Sequence, residues 1–155
     1  MSVESIEDFL KGHAFFEDMT EEMIDYLAGC GQNKHFKPGE VICREGEPAD
    51  EFYVIRKGRM AVRLNHPIKG KITIKTLLPG DMGVFSWIIP PYITQFDLEA
   101  VEHTSVVALD GKCVRKKCEE DSHLGYHLMK RAAAEMNVRL MNTRLQLLDV
   151  YGTRV

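Results

Sequence analysis

The sequence contains no long apolar run: no stretch of its 155 residues approaches the roughly 20 apolar residues that a membrane-spanning helix requires. Its start lacks both a basic segment and an apolar core, so we expect no secretory signal peptide. A basic excess is also missing, because the formal net charge is −3, whereas proteins that coat nucleic acid usually carry a strong positive charge. These absences predict a cytoplasmic protein that neither binds a membrane nor coats nucleic acid.

Cysteine is sparse, and the few cysteines show no spacing typical of a metal site. There are four, and in a reducing cytoplasm we expect all of them to be free thiols. One set of residues could suggest zinc: Cys113, Cys118, His123 and His127. Because these residues fall on two predicted helices whose faces would have to converge, we expect no metal there. Haem or an iron–sulfur cluster would need donors around one pocket, but the candidates are scattered: Cys30, Cys43, His35 and His66.

Motifs of known catalytic chemistry are absent as well. The sequence has no Gly-x-Ser-x-Gly nucleophile elbow and no phosphate-binding Gly-x4-Gly-Lys loop, so we expect no enzymatic activity. Basic residues between 56 and 75 alternate with other residues, which predicts a solvated face of a sheet rather than a track for nucleic acid. This set is Arg56, Lys57, Arg59, Arg63, Lys69, Lys71 and Lys75.

The sequence does contain a globular balance of 45% hydrophobic and 28% charged residues, and we interpret residues 1–155 as one domain of α–β–α order. Residues 1–33 are predicted to be helical, with Thr20 and the two glutamates after it forming a typical helix start. Residues 34–110 have turn signals about every ten residues, between short runs rich in Val, Ile, Tyr and Phe. That pattern predicts many short strands in a sandwich or barrel.

Residues 111–155 are predicted to be helical, and a long helix over 123–151 carries two apolar stripes about 100° apart. A helix on the surface of a monomer needs one stripe, so the pair predicts that one stripe packs on the domain and the other on a second copy. The alternative is one broad buried face in a monomer. The stripes consist of Met129, Ala133, Met136, Leu140, Thr143 and Leu147, and of Ala134, Val138, Met141, Leu145 and Leu148.

Three motifs carry a resemblance to a known family. They are Phe-Lys-Pro-Gly-Glu-Val-Ile at 36–42, Gly-Glu-Pro-Ala-Asp-Glu-Phe-Tyr-Val-Ile-Arg-Lys-Gly at 46–58, and Leu-Pro-Gly-Asp at 78–81. The sequence resembles the cyclic nucleotide-binding domain family, above all the bacterial regulators related to the catabolite activator protein. The resemblance implies a mainly β fold with flanking helices: a double-stranded β-helix, or jelly roll, of about eight strands between N-terminal helices and a long C-terminal dimerisation helix.

The resemblance also implies a ligand site in a short helical loop after the Pro-Gly-Asp turn. In the family, backbone N–H groups of this loop hold the cyclic phosphate, a glutamate binds the ribose hydroxyl and an arginine pairs with the phosphate. Here Val84 takes the place of the glutamate and Thr94 that of the arginine, with Gln95 beside it. The candidate ligand-binding residues are Gly80, Asp81, Gly83, Val84, Phe85, Thr94, Gln95, Arg139 and Thr143.

Thr143 has two interpretations, because it is the one polar residue of its stripe. Its hydroxyl either bonds back to its own helix or contacts a ligand, as the resemblance implies for this helix.

The sequence thus predicts a regulatory module that binds a cyclic nucleotide such as cAMP or cGMP, or another small anionic ligand. Binding is expected to be weak or altered because both charged anchors are missing. A homodimer helix would pass the signal to an unknown protein partner. The alternatives are a degenerate dimeric interaction scaffold that binds no nucleotide, and a haem or gas sensor. Because the sequence stops at Val155, we expect no DNA-binding domain after the helix and no DNA binding.

Overall fold

The computed structural model describes residues 4–83 and 85–152. The first elements are α1 (Ile6–Lys11), a 3₁₀ turn (Ala14–Phe16) and α2 (Glu21–Ala28). The strands are β1 (Gly31–Phe36), β2 (Val41–Cys43), β3 (Glu51–Lys57), β4 (Met60–His66), β5 (Gly70–Leu77), β6 (Asp97–Ala100) and β7 (Thr104–Asp110). A second 3₁₀ turn (Ser86–Ile88) lies between β5 and β6, and the last elements are α3 (Gly111–Glu120) and α4 (Ser122–Gly152).

Side-chain caps determine where the helices begin. The Oγ1 atom of Thr20 accepts a hydrogen bond from the N–H of Met23 at 3.2 Å, which confirms the predicted start of α2. A carboxylate oxygen of Asp110 accepts from the N–H of Cys113 at 3.0 Å and caps α3. Asp121 accepts from the N–H of Leu124 at 3.2 Å at the start of α4. Short polar residues therefore separate the helices from the strands and from each other.

The strands form two antiparallel sheets, with the strand orders β1-β7-β3 and β2-β6-β4-β5. The mainly β architecture with flanking helices is confirmed. The residues that the structure describes contain seven strands, so the expected number of about eight is not confirmed. There are two isolated bridges: Pro48↔Ile93 joins the segment before β3 to the segment before β6, and Val54↔Met82 joins β3 to the loop after β5.

Strand β3 lies at the centre of the core, because residues 52–55 are buried on both faces of the strand. The ring centre of Phe52 lies 5.9 Å from that of Phe15, 5.7 Å from that of Phe85 and 5.0 Å from that of Trp87. Burying one large apolar side chain contributes roughly 1.5–3 kcal/mol. This cluster therefore joins the N-terminal helices, the sheet and the loop after β5 into one core.

The corner between β3 and β4 requires a glycine. Gly58 has a φ of 99°, and a Cβ atom there would lie 2.5 Å from both the carbonyl oxygen of His103 and Oγ1 of Thr104. The corner therefore packs directly on the start of β7.

The first half of α4 packs on the domain through Leu124, Leu128 and Ala132, whereas the second half is exposed. Apolar side chains in the exposed half are between 48% and 64% accessible: Val138, Leu140, Met141, Leu145, Leu147, Leu148, Val150 and Tyr151. The described residues of α4 therefore do not form one broad buried face along the whole helix. No helix in the described ranges has the length and apolar character needed to cross a membrane.

The structure corrects the expectation that all four cysteines are free thiols. Cys30 and Cys113 form a disulfide with their Cα atoms 5.6 Å apart, while Cys43 and Cys118 are free. The pairing of β1 with β7 brings the two together, since the N–H of Asp110 donates to the carbonyl oxygen of Cys30 at 2.9 Å. Because 83 positions separate the two cysteines in the sequence, no local pattern could indicate this proximity.

Replacing Cys113 with Ser should lower the free energy of unfolding by about 2–4 kcal/mol, because the crosslink closes a long loop and restricts the unfolded chain. Denaturant unfolding of oxidised protein measures the change. Cys118→Ser is the matched control, since it removes a half-buried free thiol from the same helix. The intact mass should also rise by the mass of two hydrogens on reduction. Equal stability of the two variants, or an unchanged mass, would contradict the crosslink.

Candidate functional site

The loop after β5 begins with a tight turn in which three candidate residues have structural roles. Gly80 has a φ of 92°, a left-handed conformation that favours glycine. A carboxylate oxygen of Asp81 accepts a hydrogen bond from the N–H of Leu78 at 2.8 Å and closes the turn. The N–H of Gly83 donates to the carbonyl oxygen of Tyr53 at 2.8 Å. These three residues fix the start of the loop against β3.

Two aromatic side chains of the loop, those of Phe85 and Trp87, are packed into the core. Phe85 precedes the second 3₁₀ turn and is 6% exposed, and Trp87 within that turn is fully buried. Val84 lies outside the described residues. The loop interior is therefore filled by aromatic rings that contact Phe52, and a ligand at this place would meet few polar side chains of the loop.

Arg139 joins α4 to the start of the loop. Its Nη1 donates to the carbonyl oxygen of Gly83 at 3.2 Å, and its Nη2 donates to that of Met82. The guanidinium carbon lies 4.9 Å from the ring centre of Phe85, within range of a cation–π interaction. Burial lowers the pKa of Arg139 from its usual value. Arg139 is thus a half-buried cation whose hydrogen bonds are made to neutral groups.

The structure does not bring Thr94 together with Arg139. Thr94 is 1% exposed and borders a small cavity of about 140 Å³, which Cys43 and Tyr53 also line. Its Oγ1 has no hydrogen-bond partner among the described residues. Burial raises the pKa of the Cys43 thiol to about 12 and also raises the pKa of Tyr53, so both groups stay protonated at neutral pH. The position that carries an arginine in the family therefore faces a separate cavity.

A larger pocket of about 610 Å³ lies between β4, β5 and α4. Its apolar walls are formed by Val62, Leu64, Ile74, Phe96 and Leu145. Its polar lining residues are Lys75, Arg139, Asn142, Thr143 and Gln146. The pocket therefore combines an apolar interior with polar groups that come mostly from α4, which is the usual composition of a small-molecule site.

Thr143 reaches this pocket while its hydroxyl bonds to its own helix. The Oγ1 atom of Thr143 donates to the carbonyl oxygen of Arg139 at 2.9 Å, as one of the two sequence interpretations expects. Arg139 also borders a neighbouring groove of about 200 Å³, which Phe85 and Gln95 line. The structure thus groups Arg139 with Thr143 in the pocket, and with Phe85 and Gln95 in the groove.

Lys75 is a pocket residue that sequence reasoning placed on the solvated basic face. Other members of that face pair with acids: Arg63 lies 2.8 Å from Glu99, and Lys71 lies 2.7 Å from Asp97. A register shift between β4 and β5 near Val62 breaks the strict alternation of the strand. Ile74 and Lys75 therefore both border the pocket, although simple alternation predicts opposite faces.

Arg115 holds the far end of the loop, and no sequence motif pointed to it. Its Nη1 donates to the carbonyl oxygen of Trp87, and its guanidinium carbon lies 4.1 Å from the ring centre of Tyr92. Arg139 from α4 and Arg115 from α3 therefore hold the loop from both ends.

Comparison with known proteins identifies the family of this domain. Residues 33–121, more than half of the chain, match the profile of the cyclic nucleotide-binding domain. The chain belongs to the cyclic nucleotide-binding domain family. This match confirms the resemblance carried by the sequence motifs, and it indicates no catalytic family.

Individual relatives of this cyclic nucleotide-binding domain occur in kinases and in bacterial proteins. A cGMP-dependent protein kinase of Toxoplasma gondii is 37% identical over 60 residues, which is 39% of this chain and 6% of the kinase. The chain therefore spans a small part of that relative. The structure of a putative cyclic nucleotide-binding protein from Geobacter metallireducens is 28% identical, with a TM-score of 0.79 over 89% of this chain and 99% of that one. The catabolite activator protein of Thermus thermophilus shares the fold at 20% identity, with a TM-score of 0.69 over 87% of this chain and 62% of that one.

Replacing Arg115 with Met should loosen the loop, because the carbonyl oxygen of Trp87 loses its donor and Tyr92 loses its cation. We expect amide hydrogen exchange over residues 85–92 to become at least about tenfold faster, which corresponds to the loss of one charged hydrogen bond. Lys112→Met is the control, since Lys112 is exposed on the same helix. Exchange that matches the control would show that Arg115 does not hold the loop.

Proposed function

We propose that this domain is a regulatory module that binds a small ligand of the cyclic nucleotide class, weakly or with altered specificity, and passes the signal through α4 to a protein partner. Membership of the cyclic nucleotide-binding domain family supports the ligand class. The observation that carries the proposal is the position of Arg139, which lines the pocket and also bonds to the loop. Occupation of the pocket is thereby linked to the contact between loop and helix.

The missing anchors support weak or altered binding of cyclic nucleotides. A hydrogen bond to a charged group contributes about 1.5–3 kcal/mol, so losing two of them costs about two to four decades of affinity. Val84 offers no carboxylate to a ribose hydroxyl, and Thr94 offers no cation and borders a different cavity. Backbone groups and α4 are then left to hold the nucleotide.

Arg139 supports a route from the pocket to the helix. An anion that enters the pocket competes with the carbonyl oxygens of Met82 and Gly83 for the same guanidinium. Arg139 belongs to α4, so a ligand that takes over its hydrogen bonds weakens the contact between α4 and the loop. The preferred position of α4 against the loop then changes. The exposed half of α4 is where a partner protein would detect that change.

A homodimer through α4 is part of the same proposal. Leu140 and Leu147 form an exposed stripe, and Met141, Leu145 and Leu148 form a second one. Contiguous exposed apolar surface of this kind is typical of an interaction site rather than of a monomer. A second copy of the helix, with the same stripes, would cover it.

A dimeric scaffold that binds no nucleotide is the second candidate function. The loop favours it, since Phe85 and Trp87 fill the loop interior and Arg139 already occupies two loop carbonyl oxygens. Calorimetry with cAMP and cGMP distinguishes the two functions, because the scaffold gives no binding heat with either nucleotide.

Changing Val84 to Glu together with Thr94 to Arg should strengthen the binding of cAMP by at least about tenfold, because the change restores both charged anchors. Calorimetric titration measures the dissociation constant, which we expect to be weaker than micromolar for the unmodified protein. Val84→Gln with Thr94→Gln is the matched control, since it adds polar volume without charge. Thermal unfolding verifies that both variants fold. Nanomolar binding of cAMP by the unmodified protein would refute the reasoning from the anchors.

Changing Leu140 to Glu should convert a dimer into a monomer, because the dimer would bury a carboxylate in its apolar seam. Sedimentation velocity at micromolar concentration measures the oligomeric state. Leu140→Met is the control, since it keeps an apolar side chain of similar size and should remain dimeric. A monomeric unmodified protein under these conditions would exclude the dimer.

A further inference from the structure

The pocket between the sheet and α4 has an unusual balance of charge. Two of its lining residues are cations, Lys75 and Arg139, and none of its ten described lining residues is Asp or Glu. The remaining polar lining residues, Asn142, Thr143 and Gln146, are neutral and solvent-accessible residues of α4. The pocket is therefore apolar inside and positively charged on its wall.

Arg139 is not neutralised by its protein contacts. Its two hydrogen bonds go to carbonyl oxygens, and no carboxylate of the described residues lies within ion-pair distance of it. Its Nε is buried and has no hydrogen-bond partner in the described part of the chain. A half-buried cation in this state gains free energy when an anion approaches it.

The pocket has a larger apolar surface than a sugar requires. None of its described lining residues is a carboxylate that could bind a ribose hydroxyl, and its neutral acceptors are the side-chain oxygens of Asn142, Thr143 and Gln146. The apolar walls instead present Val62, Leu64, Ile74 and Phe96, which favour a hydrocarbon or aromatic body. The volume of about 610 Å³ is within the usual range of a small-molecule site.

We infer that this pocket binds an organic carboxylate with an apolar body, with the carboxylate on Arg139 and the body against the sheet. The inference rests on the proposed function in one respect, that this pocket is the ligand site of the domain. It goes further by replacing the sugar and phosphate of a nucleotide with one negative charge and a hydrocarbon or aromatic group. Charge complementarity and the apolar walls select this occupant.

Decanoate is a suitable probe, and decanol has the same chain without the charge. Equilibrium dialysis of the full chain with each compound measures the affinities. We expect decanoate to bind with a stoichiometry of one per chain and at least about tenfold more tightly than decanol, since one charged hydrogen bond distinguishes them. Equal affinities would overturn the inference, because the pocket would then select apolar bodies without regard to charge.

Two arginines of α4 provide a matched pair of variants. Arg139→Met should weaken decanoate binding by about tenfold and leave decanol binding unchanged. Arg131→Met is the control, because Arg131 also donates from α4 to backbone carbonyl oxygens, those of Ala14 and Phe15, but does not line the pocket. Equal decanoate affinity in the two variants would contradict the assignment of the carboxylate to Arg139.

Lys75→Met provides a second test that does not disturb the contact between α4 and the loop, should Arg139→Met fail to fold. It should weaken decanoate binding by about threefold, which is typical of an exposed charge pair. An unchanged affinity for decanoate would contradict the assignment of the charge to this pocket.

Competition between decanoate and cAMP separates the inference from the proposed function. If cAMP displaces decanoate only at large excess, the result supports both the carboxylate inference and the proposed function. If cAMP binds more tightly than decanoate, the ligand class inferred here is wrong and the proposed function stands. If neither compound binds, both the inference and the proposed ligand site are wrong, and the domain is a scaffold.

Discussion

The packing of Phe52 against three other aromatic rings is the interaction on which this domain depends most. Phe15 comes from the N-terminal helical segment, Phe85 and Trp87 come from the loop after β5, and Phe52 comes from the buried strand β3. Since the rings form one buried cluster, they pack the loop against β3 although little of the loop is regular secondary structure. The groove beside Arg139, which Phe85 lines, is therefore bounded by this core.

Arginines at three positions connect the helices to that core in the same manner. Arg115, Arg131 and Arg139 each donate to backbone carbonyl oxygens of a neighbouring segment. A carbonyl oxygen satisfies a donor but does not cancel a positive charge. For Arg131, acids lie nearby, with Asp18 at 3.7 Å. Burial lowers the pKa of Arg139, and the acids that partly oppose this effect, Glu135 and Asp81, are outside ion-pair distance. The Arg139 guanidinium therefore keeps its attraction for anions.

Sequence reasoning predicted the order of elements and part of the site, and the limits have physical causes. The helix start at Thr20 and the helical character of α4 follow from local patterns, which a sequence displays directly. Arg139 and Thr143 were identified through the family resemblance, and they do share a pocket. Long-range geometry was not accessible: the Cys30–Cys113 pairing depends on the register of β1 against β7.

Lys75 and Thr94 also differ from their sequence predictions, and strand and loop geometry explains both differences. Lys75 reaches the pocket because a register shift interrupts the alternation between β4 and β5. Thr94 keeps the position of the family's arginine in the sequence, but its short side chain borders the small cavity beside Tyr53. A residue's place in a motif therefore predicts its backbone position better than the site that its side chain reaches.

The crosslink between Cys30 and Cys113 has a mechanical consequence for α4. It attaches the first turn of α3 to the short segment between α2 and β1, and Leu124, Leu128 and Ala132 hold the start of α4 on the domain. The 20 residues from 133 to 152 then extend about 30 Å beyond this fixed base. A tilt of about 5° at the base moves the far end by about 3 Å, given that helix length. The pocket residues of α4, from Arg139 to Gln146, lie within this segment, so a ligand in the pocket contacts the part of the helix that such a tilt moves.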